Sequence, residues 1–254
     1  MKAKRIYLYI FTLVLLAMGA VAQGRTLIYS DSFNRRGPLN GSAPGIGGSA
    51  PAWAKQAKWI AAENMNTTGN MLVIPEVPPS GVSVSANAYL PAEIRTNSGI
   101  FTIKTTCAAV WGDFDSWVAI GFAINTAGVG DGFFSNSLGM TTYSRGNDDW
   151  KGPSAVVSYL NGPYNPERIE AVNKAGALPL TITLTLNTYK VANNLTITIE
   201  GCSTEKGGKS VRKITRTLPP SLIYSIHAIK IGAFEGQGGT FENFQFFMET
   251  KKEN

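Results

Sequence analysis

The segment Leu178-Pro179-Leu180-Thr181-Ile182-Thr183-Leu184-Thr185-Leu186-Asn187-Thr188-Tyr189 alternates large apolar side chains with small polar ones. The apolar residues at every second position are Leu180, Ile182, Leu184 and Leu186. Because successive side chains of a β-strand point to opposite sides, this pattern predicts a strand with one face in a core and the other face in water. A helix would instead place apolar residues three and four positions apart.

Eleven further segments alternate in the same way or are rich in Val, Ile, Thr and aromatic residues, and none has a helical period. They are residues 26–33, 71–77, 82–90, 99–110, 116–124, 137–145, 154–160, 194–202, 210–218, 226–234 and 240–248. Turn-forming pairs such as Gly207-Gly208 and Pro219-Pro220 separate them. Strands so numerous and so evenly spaced predict an all-β, two-sheet antiparallel β-sandwich. The Gly- and Pro-rich residues 36–52 are predicted to form a long ordered loop.

The N-terminus has the three parts of a secretory signal. Met-Lys-Ala-Lys-Arg is basic, residues 6–20 are apolar, and Ala20-Val21-Ala22 is a small-x-small cleavage site. The apolar run is shorter than the roughly 20 residues that a spanning helix prefers. We therefore expect a signal peptide at 1–22, one domain at 23–250 and a polar tail at 251–254. The expected protein is secreted, with no membrane span after cleavage.

Removal of the signal also changes the charge. Without Lys2, Lys4 and Arg5, 20 of the 23 Lys and Arg residues remain against 17 acidic residues, so the net charge falls from +6 to +3. The sequence has no Lys/Arg stripe of the kind that follows a phosphate backbone. Nucleic acid is therefore not an expected partner.

The chain has two cysteines, Cys107 and Cys202, each in a predicted strand. An exported protein can keep a single intramolecular disulfide between them. Two buried thiols are the alternative, and the sequence leaves both open.

Two terminal segments resemble a known group of proteins. Asp31-Ser32-Phe33-Asn34-Arg35-Arg36-Gly37-Pro38-Leu39, with a Gly-rich loop and Trp53 after it, resembles the opening of bacterial exported laminin G-like or concanavalin A-like domains. Residues 229–234 and 239–246 look like their closing strands, which pair beside the first strand. The resemblance implies a jelly roll with a convex and a concave sheet, in a group whose members bind sugars, cleave them or serve as adhesive modules.

Glucanases of this fold carry a Glu-x-Asp-x-x-Glu strand, in which one carboxylate attacks the sugar and another protonates the leaving group. This sequence lacks that triplet, and the pair Asp113 and Asp115 has no third acid beside it. His227 is the only histidine and cannot complete a zinc site with two cysteines, so we expect no catalytic metal. The sequence leaves open a bound calcium ion, for which loop carboxylates are available at Asp113, Asp115, Asp131, Asp148 and Asp149.

A set of aromatic and polar residues is the candidate site. In the 116–124 segment Val118, Ile120, Phe122 and Ile124 should face the core, so Trp117 should point outward. By the same parity Leu138 and Met140 face inward, which directs Tyr143 and Arg145 outward. An exposed aromatic ring can stack on the C–H face of a pyranose, while charged groups bond its hydroxyls. The predicted ligand-binding residues are Trp117, Tyr143, Arg145, Asp149 and Trp150. The alternative is that these aromatics pack beneath loops.

Three functions are compatible with these features of the sequence. The first is a secreted, non-catalytic carbohydrate-binding module that recognises a polysaccharide or glycoconjugate through outward aromatic and polar residues of the concave sheet. The second is a structural or adhesive module without a small ligand. The third is a divergent polysaccharide hydrolase or lyase, which would need two acids converging in the concave groove.

Overall fold

The computed structural model describes residues 24–74, 85–109, 116–124, 137–144, 155–159, 167–170, 179–203, 209–234 and 238–250. The elements in these ranges are almost all β-strands, which confirms the all-β prediction. The strands are β1 Thr26–Asp31, β2 Arg36–Pro38, β3 Gly45–Ile46, β4 Ile60–Ala61, β5 Asn66–Thr68, β6 Leu72–Ile74, β7 Ser85–Pro91, β8 Ile100–Ala109, β9 Ser116–Ala123, β10 Ser137–Ser144, β11 Ala155–Tyr159, β12 Glu167–Glu170, β13 Leu180–Asn187, β14 Leu195–Ser203, β15 Lys209–Arg216, β16 Ala228–Phe234 and β17 Gly239–Glu249. A 3-10 turn at Ala52–Ala54 and a short helix α1 at Pro220–Ile223 complete this part of the chain.

The strands form two antiparallel sheets. The ten-stranded sheet has the order β15-β14-β13-β8-β17-β6-β5-β2, with β1 paired to β17 and β3 paired to β1. The seven-stranded sheet has the order β12-β11-β10-β9-β16-β7-β4. Each of the twelve segments predicted from alternation overlaps one of these strands, and each sheet is built mainly from them.

The two sheets pack face to face over a single apolar core. Along β13 the burial alternates strictly, with Leu184 and the other aliphatic residues buried and the threonines between them half-buried. Val118, Ile120 and Phe122 from β9, together with Ile231 from β16, are fully buried in the same cluster. Complete burial of one such side chain stabilises the fold by roughly 1.5–3 kcal/mol. The predicted core face of β9 is therefore confirmed for these residues.

The first and last strands lie side by side. Ser30 pairs with Gln245 and Asp31 with Phe244 across the β1–β17 register. This confirms the expected position of the closing strand beside the first strand. The pairing brings the two terminal segments that carry the family resemblance into direct contact.

The segment after β1 is folded around one carboxylate. Asp31 is 5% exposed. Its Oδ1 accepts hydrogen bonds from the Phe33 amide at 2.9 Å and from Arg35 at 2.8 Å. Its Oδ2 accepts hydrogen bonds from Arg35 at 2.9 Å and from the Trp59 indole at 2.8 Å. The Asp-x-Phe-x-Arg segment is thus a structural motif that holds the end of β1 against the core.

The predicted loop at 36–52 contains more regular secondary structure than the sequence indicates. It contains β2, β3 and the beginning of the 3-10 turn. Strands of two or three residues next to Gly and Pro are too short to show an alternating pattern, which is why the sequence did not reveal them.

The register argues against a direct bridge between Cys107 and Cys202. Cys107 lies on β8 and Cys202 on β14, and β13 runs between these two strands. Two strand spacings amount to about 10 Å, whereas the Cα atoms of a disulfide are at most about 7 Å apart. A bridge would therefore require the backbone to move.

The predicted signal at 1–22 and tail at 251–254 lie outside the described residues. In the part that the structure describes, no helix is long and apolar enough to cross a membrane.

Candidate functional site

The candidate site lies on the seven-stranded sheet, whose inner side packs on the core. We call the opposite side the outer face. In the register of this sheet Trp117 of β9 is paired with Tyr143 of β10 on one side and with Phe234 of β16 on the other. The fold therefore brings two of the predicted site residues to directly opposed positions on neighbouring strands.

The other predicted residues lie outside the described part of the chain. Arg145, Asp149 and Trp150 follow β10 in the range 145–154. The calcium candidates Asp113, Asp115, Asp131 and Asp148, like Asp149, also fall in ranges that the structure does not describe. Among the described residues no group of three His, Cys, Asp or Glu side chains could hold a metal ion.

The sequence did not reveal three polar residues on the outer face. Asn87 and Tyr89 alternate with core residues of β7, and Lys230 stands between the core residues Ile229 and Ile231 of β16. All three are buried, with exposed fractions of 0%, 1% and 1%. A lysine at an alternating position between two isoleucines is ordinarily taken as solvent-exposed, so the alternation alone offered no reason to select it.

Lys230 is accommodated by its neighbours on both sides. It pairs with Tyr89 on β7 and with Gly121 on β9. Its Nζ lies 5.3 Å from the centroid of the Tyr89 ring, within the range of a cation–π contact. Gly121 has no side chain to compete for the space above the sheet.

The outer face is closed to solvent at this place. Tyr89 also packs with Ala123 and Ala228 in a second apolar cluster, separate from the core between the sheets. Side chains that are about 1% exposed cannot contact a ligand in this form of the protein. We therefore assign Asn87, Tyr89 and Lys230 a structural role in the outer face.

An open cleft of about 460 Å³ lies elsewhere, at the β1–β17 seam. Its lining includes Asp31, Arg35, Asn34, Asn243 and Gln245. Both oxygens of the Asp31 carboxylate already accept two hydrogen bonds each from protein groups. A carboxylate held in this way is a structural anchor and is poorly suited to transfer protons to a substrate.

His227 is half-buried, and its Nδ1 lies 3.1 Å from the Ser225 carbonyl oxygen. The backbone groups of His227 bond Ala123 and Ala92, which joins the ends of three strands. The position of His227 indicates a structural role.

No model of a known protein family and no curated protein matches the chain. Solved structures do match it. The lectin UEA-II complexed with galactose superimposes with a TM-score of 0.51 at 11% identity, over 85% of this chain and 99% of that chain. Lectin II from Ulex europaeus superimposes with a TM-score of 0.50 at 11% identity, over 77% of this chain and 94% of that chain. The CBM2 module of the evolved Dit from Lactobacillus casei BL23 phage J-1 superimposes with a TM-score of 0.51 at 10% identity, over 90% of this chain and 98% of that chain.

The chain has a lectin-like β-sandwich fold. At such low identities the similarity concerns the fold alone. The concanavalin A-like, jelly-roll prediction is therefore confirmed as a fold. The laminin G-like part of the resemblance, which no family model matches, stays a prediction.

Proposed function

We propose that the protein is a secreted, non-catalytic carbohydrate-binding module that recognises a polysaccharide or glycoconjugate on its outer face. The observation that carries the proposal is the register that pairs Trp117 with Tyr143. Val118, Ile120 and Phe122 are buried in the core, and strand alternation then predicts the outer face for Trp117.

The proposed chemistry suits a pyranose. An indole and a phenol on adjacent strands offer an apolar surface to the C–H face of a sugar. Ala119, at the next alternate position of β9, is a small residue and would leave room beside Trp117 for a flat ligand. Arg145, Asp149 and Trp150 follow Tyr143 closely in sequence and would supply hydrogen bonds to hydroxyl groups and a further ring.

The neighbours by fold support this choice. One of them was solved as a lectin in complex with galactose, and another is a CBM2 module. The predicted N-terminal signal supports export, and the missing Glu-x-Asp-x-x-Glu strand supports a role without catalysis.

The experiment is a screen of the purified protein, without residues 1–22, against uncharged glycans on an array and a panel of uncharged insoluble polysaccharides. We expect retention on at least one glycan, loss of retention in the Trp117→Ala variant, and no release of reducing ends from the bound polysaccharide. Binding that survives Trp117→Ala unchanged would remove the proposed site. Release of new reducing ends would favour the hydrolase alternative, and release of unsaturated products would favour the lyase.

A second candidate is an adhesive module that binds another macromolecule and no small ligand. The burial of Asn87, Tyr89 and Lys230 favours it, because part of the outer face is already closed. The same screen separates the two functions: the adhesive module predicts no retention on any glycan by the folded wild-type protein.

A further inference from the structure

A second pocket lies at one end of the sandwich, away from the outer face. Three loop segments form it: residues 94–98 after β7, residues 188–194 between β13 and β14, and residues 220–224 at α1. Its volume is about 220 Å³. This is smaller than the roughly 300–1,000 Å³ of sites for drug-sized ligands, and it suits a single sugar ring. We call it the loop pocket.

Hydrogen bonds from side chains hold the three segments together. Asn194 is 2% exposed, and its amide accepts from the Leu218 N–H at 2.7 Å and donates to the Leu218 carbonyl at 2.8 Å. Thr188 Oγ1 accepts from the Gly99 N–H at 2.8 Å, and the Tyr189 hydroxyl donates to the Ser98 carbonyl at 3.2 Å. The walls are therefore preformed, which lowers the entropic cost of binding.

The rim of the loop pocket combines an aromatic ring with positive charge. Tyr224 is 66% exposed and Val191 is 84% exposed, so two of the few large apolar side chains that the described residues expose lie at this one place. Arg95 and Lys190 also line the pocket and are exposed, and neither forms an ion pair with a described residue. No described lining residue carries a carboxylate, and the nearest described one, that of Glu93, bonds the lining residue Thr96 at 3.2 Å.

We propose that the loop pocket binds one acidic pyranose residue, such as a uronic acid of a polysaccharide. Tyr224 takes the C–H face of the ring, and Arg95 and Lys190 take the carboxylate. Thr96 and Asn97 lie in the same lining. The Thr96 hydroxyl already bonds Glu93 Oε2 at 3.2 Å and the Asn97 amide nitrogen donates to the Glu93 carbonyl at 2.6 Å, so the Asn97 amide oxygen is the group of this pair that can accept from a ring hydroxyl. A neutral sugar would offer no carboxylate to Arg95 and Lys190. An acidic peptide would offer that carboxylate but no flat C–H face to stack on the Tyr224 ring.

This site stands apart from the outer face, so the test uses both the wild-type protein and the Trp117→Ala variant. Binding is measured by affinity electrophoresis at about 0.15 M ionic strength, where the Debye length is about 8 Å and distant charges are screened. The probes are polygalacturonate, a neutral galactan and poly-L-glutamate. In the Trp117→Ala background we expect binding to polygalacturonate and much weaker binding to the other two polymers.

Two kinds of variant then test the contacts. Tyr224→Ala changes no charge and should weaken binding to polygalacturonate by about 2- to 10-fold. Arg95→Ala and Lys190→Ala should each weaken it by about 2- to 5-fold. Lys55→Ala removes an exposed cation outside the loop pocket and is the matched control. The proposal is overturned if Tyr224→Ala binds as the wild type does, if Lys55→Ala loses as much as Arg95→Ala, or if poly-L-glutamate binds equally well.

Discussion

The Trp59 indole donates a hydrogen bond of 2.8 Å to Asp31 Oδ2, although 28 residues separate the two in sequence. The bond joins the end of β1 to the segment that leads into β4. Trp59 is 1% exposed and packs edge-on against Phe244 of β17, with ring centroids 5.2 Å apart. The Asp31 carboxylate therefore links the Asp-x-Phe-x-Arg motif to the core of the sandwich.

Loss of the Asp31 carboxylate should destabilise the fold. In Asp31→Ala the Arg35 guanidinium, the Trp59 indole and the Phe33 amide all lose their acceptor, which should cost about 3 kcal/mol or more of unfolding free energy. Trp59→Phe removes only one of these bonds and should cost about half as much. Urea unfolding followed by circular dichroism measures both changes. An Asp31→Ala protein as stable as Trp59→Phe would contradict the assigned role of the carboxylate.

The phenol of Tyr29 should make the fold sensitive to alkali. Its hydroxyl donates to the Pro91 carbonyl at 3.0 Å, and burial, followed by the charge of Glu93, raises the pKa of Tyr29 well above its ordinary value of 10. Above pH 10 the unfolded chain loses this proton while the folded protein retains it, so stability falls as the pH rises. The contribution of one such group is about 1.4 kcal/mol per pH unit.

The Tyr29→Phe variant tests this pH dependence. It should be less stable than the wild type near neutral pH by about 1 kcal/mol, because the hydrogen bond is lost. Its stability should fall less steeply above pH 10. Tyr224→Phe, which changes an exposed phenol, is the matched control. Equal slopes for Tyr29→Phe and the wild type would argue against a buried, protonated Tyr29.

The close approach of the two sheets at Gly239 gives another prediction. A Cβ atom there would overlap Val118 Cγ1 of the opposite sheet and lie 2.9 Å from the Ala108 carbonyl oxygen. Gly239→Ala should therefore destabilise the protein by about 1–3 kcal/mol. Gly48→Ala has open space around the new methyl group and is the control. Equal melting temperatures for the two variants would show that the sheets are not in contact at Gly239.

The sequence revealed those parts of the fold that depend on local alternation. Leu180 to Leu186 and Val118 to Phe122 each place apolar residues at every second position, and both sets lie in the core. The short strands β2 to β5 are not predictable from the sequence, because two or three residues cannot display an alternation of apolar and polar side chains. The adjacency of β1 and β17 came from the family resemblance.

The candidate site was only partly predictable. Parity along two separate strands predicts that Trp117 and Tyr143 share one face, and the register pairs them. The burial of Lys230 could not be predicted, because it depends on Tyr89 and Gly121, which are distant in sequence. The loop pocket was missed for the same reason: its walls come from three separate segments that only the fold brings together.

The outer-face proposal predicts a specific order of affinities. The dissociation constant for the best glycan of the screen should rise by about tenfold or more in Trp117→Ala, since a central aromatic contact is lost. Trp117→Phe should recover part of the loss because a smaller ring remains. Val211→Ala, which removes an exposed apolar side chain on the edge strand β15 of the other sheet, is the matched control.

The most direct test is a calorimetric titration of these proteins with that glycan, after circular dichroism has shown that each variant is folded. We predict that Val211→Ala matches the wild type, that Trp117→Phe is intermediate, and that Trp117→Ala is weakest. A folded Trp117→Ala protein that binds the glycan with wild-type affinity would contradict the proposal that the outer face recognises sugar.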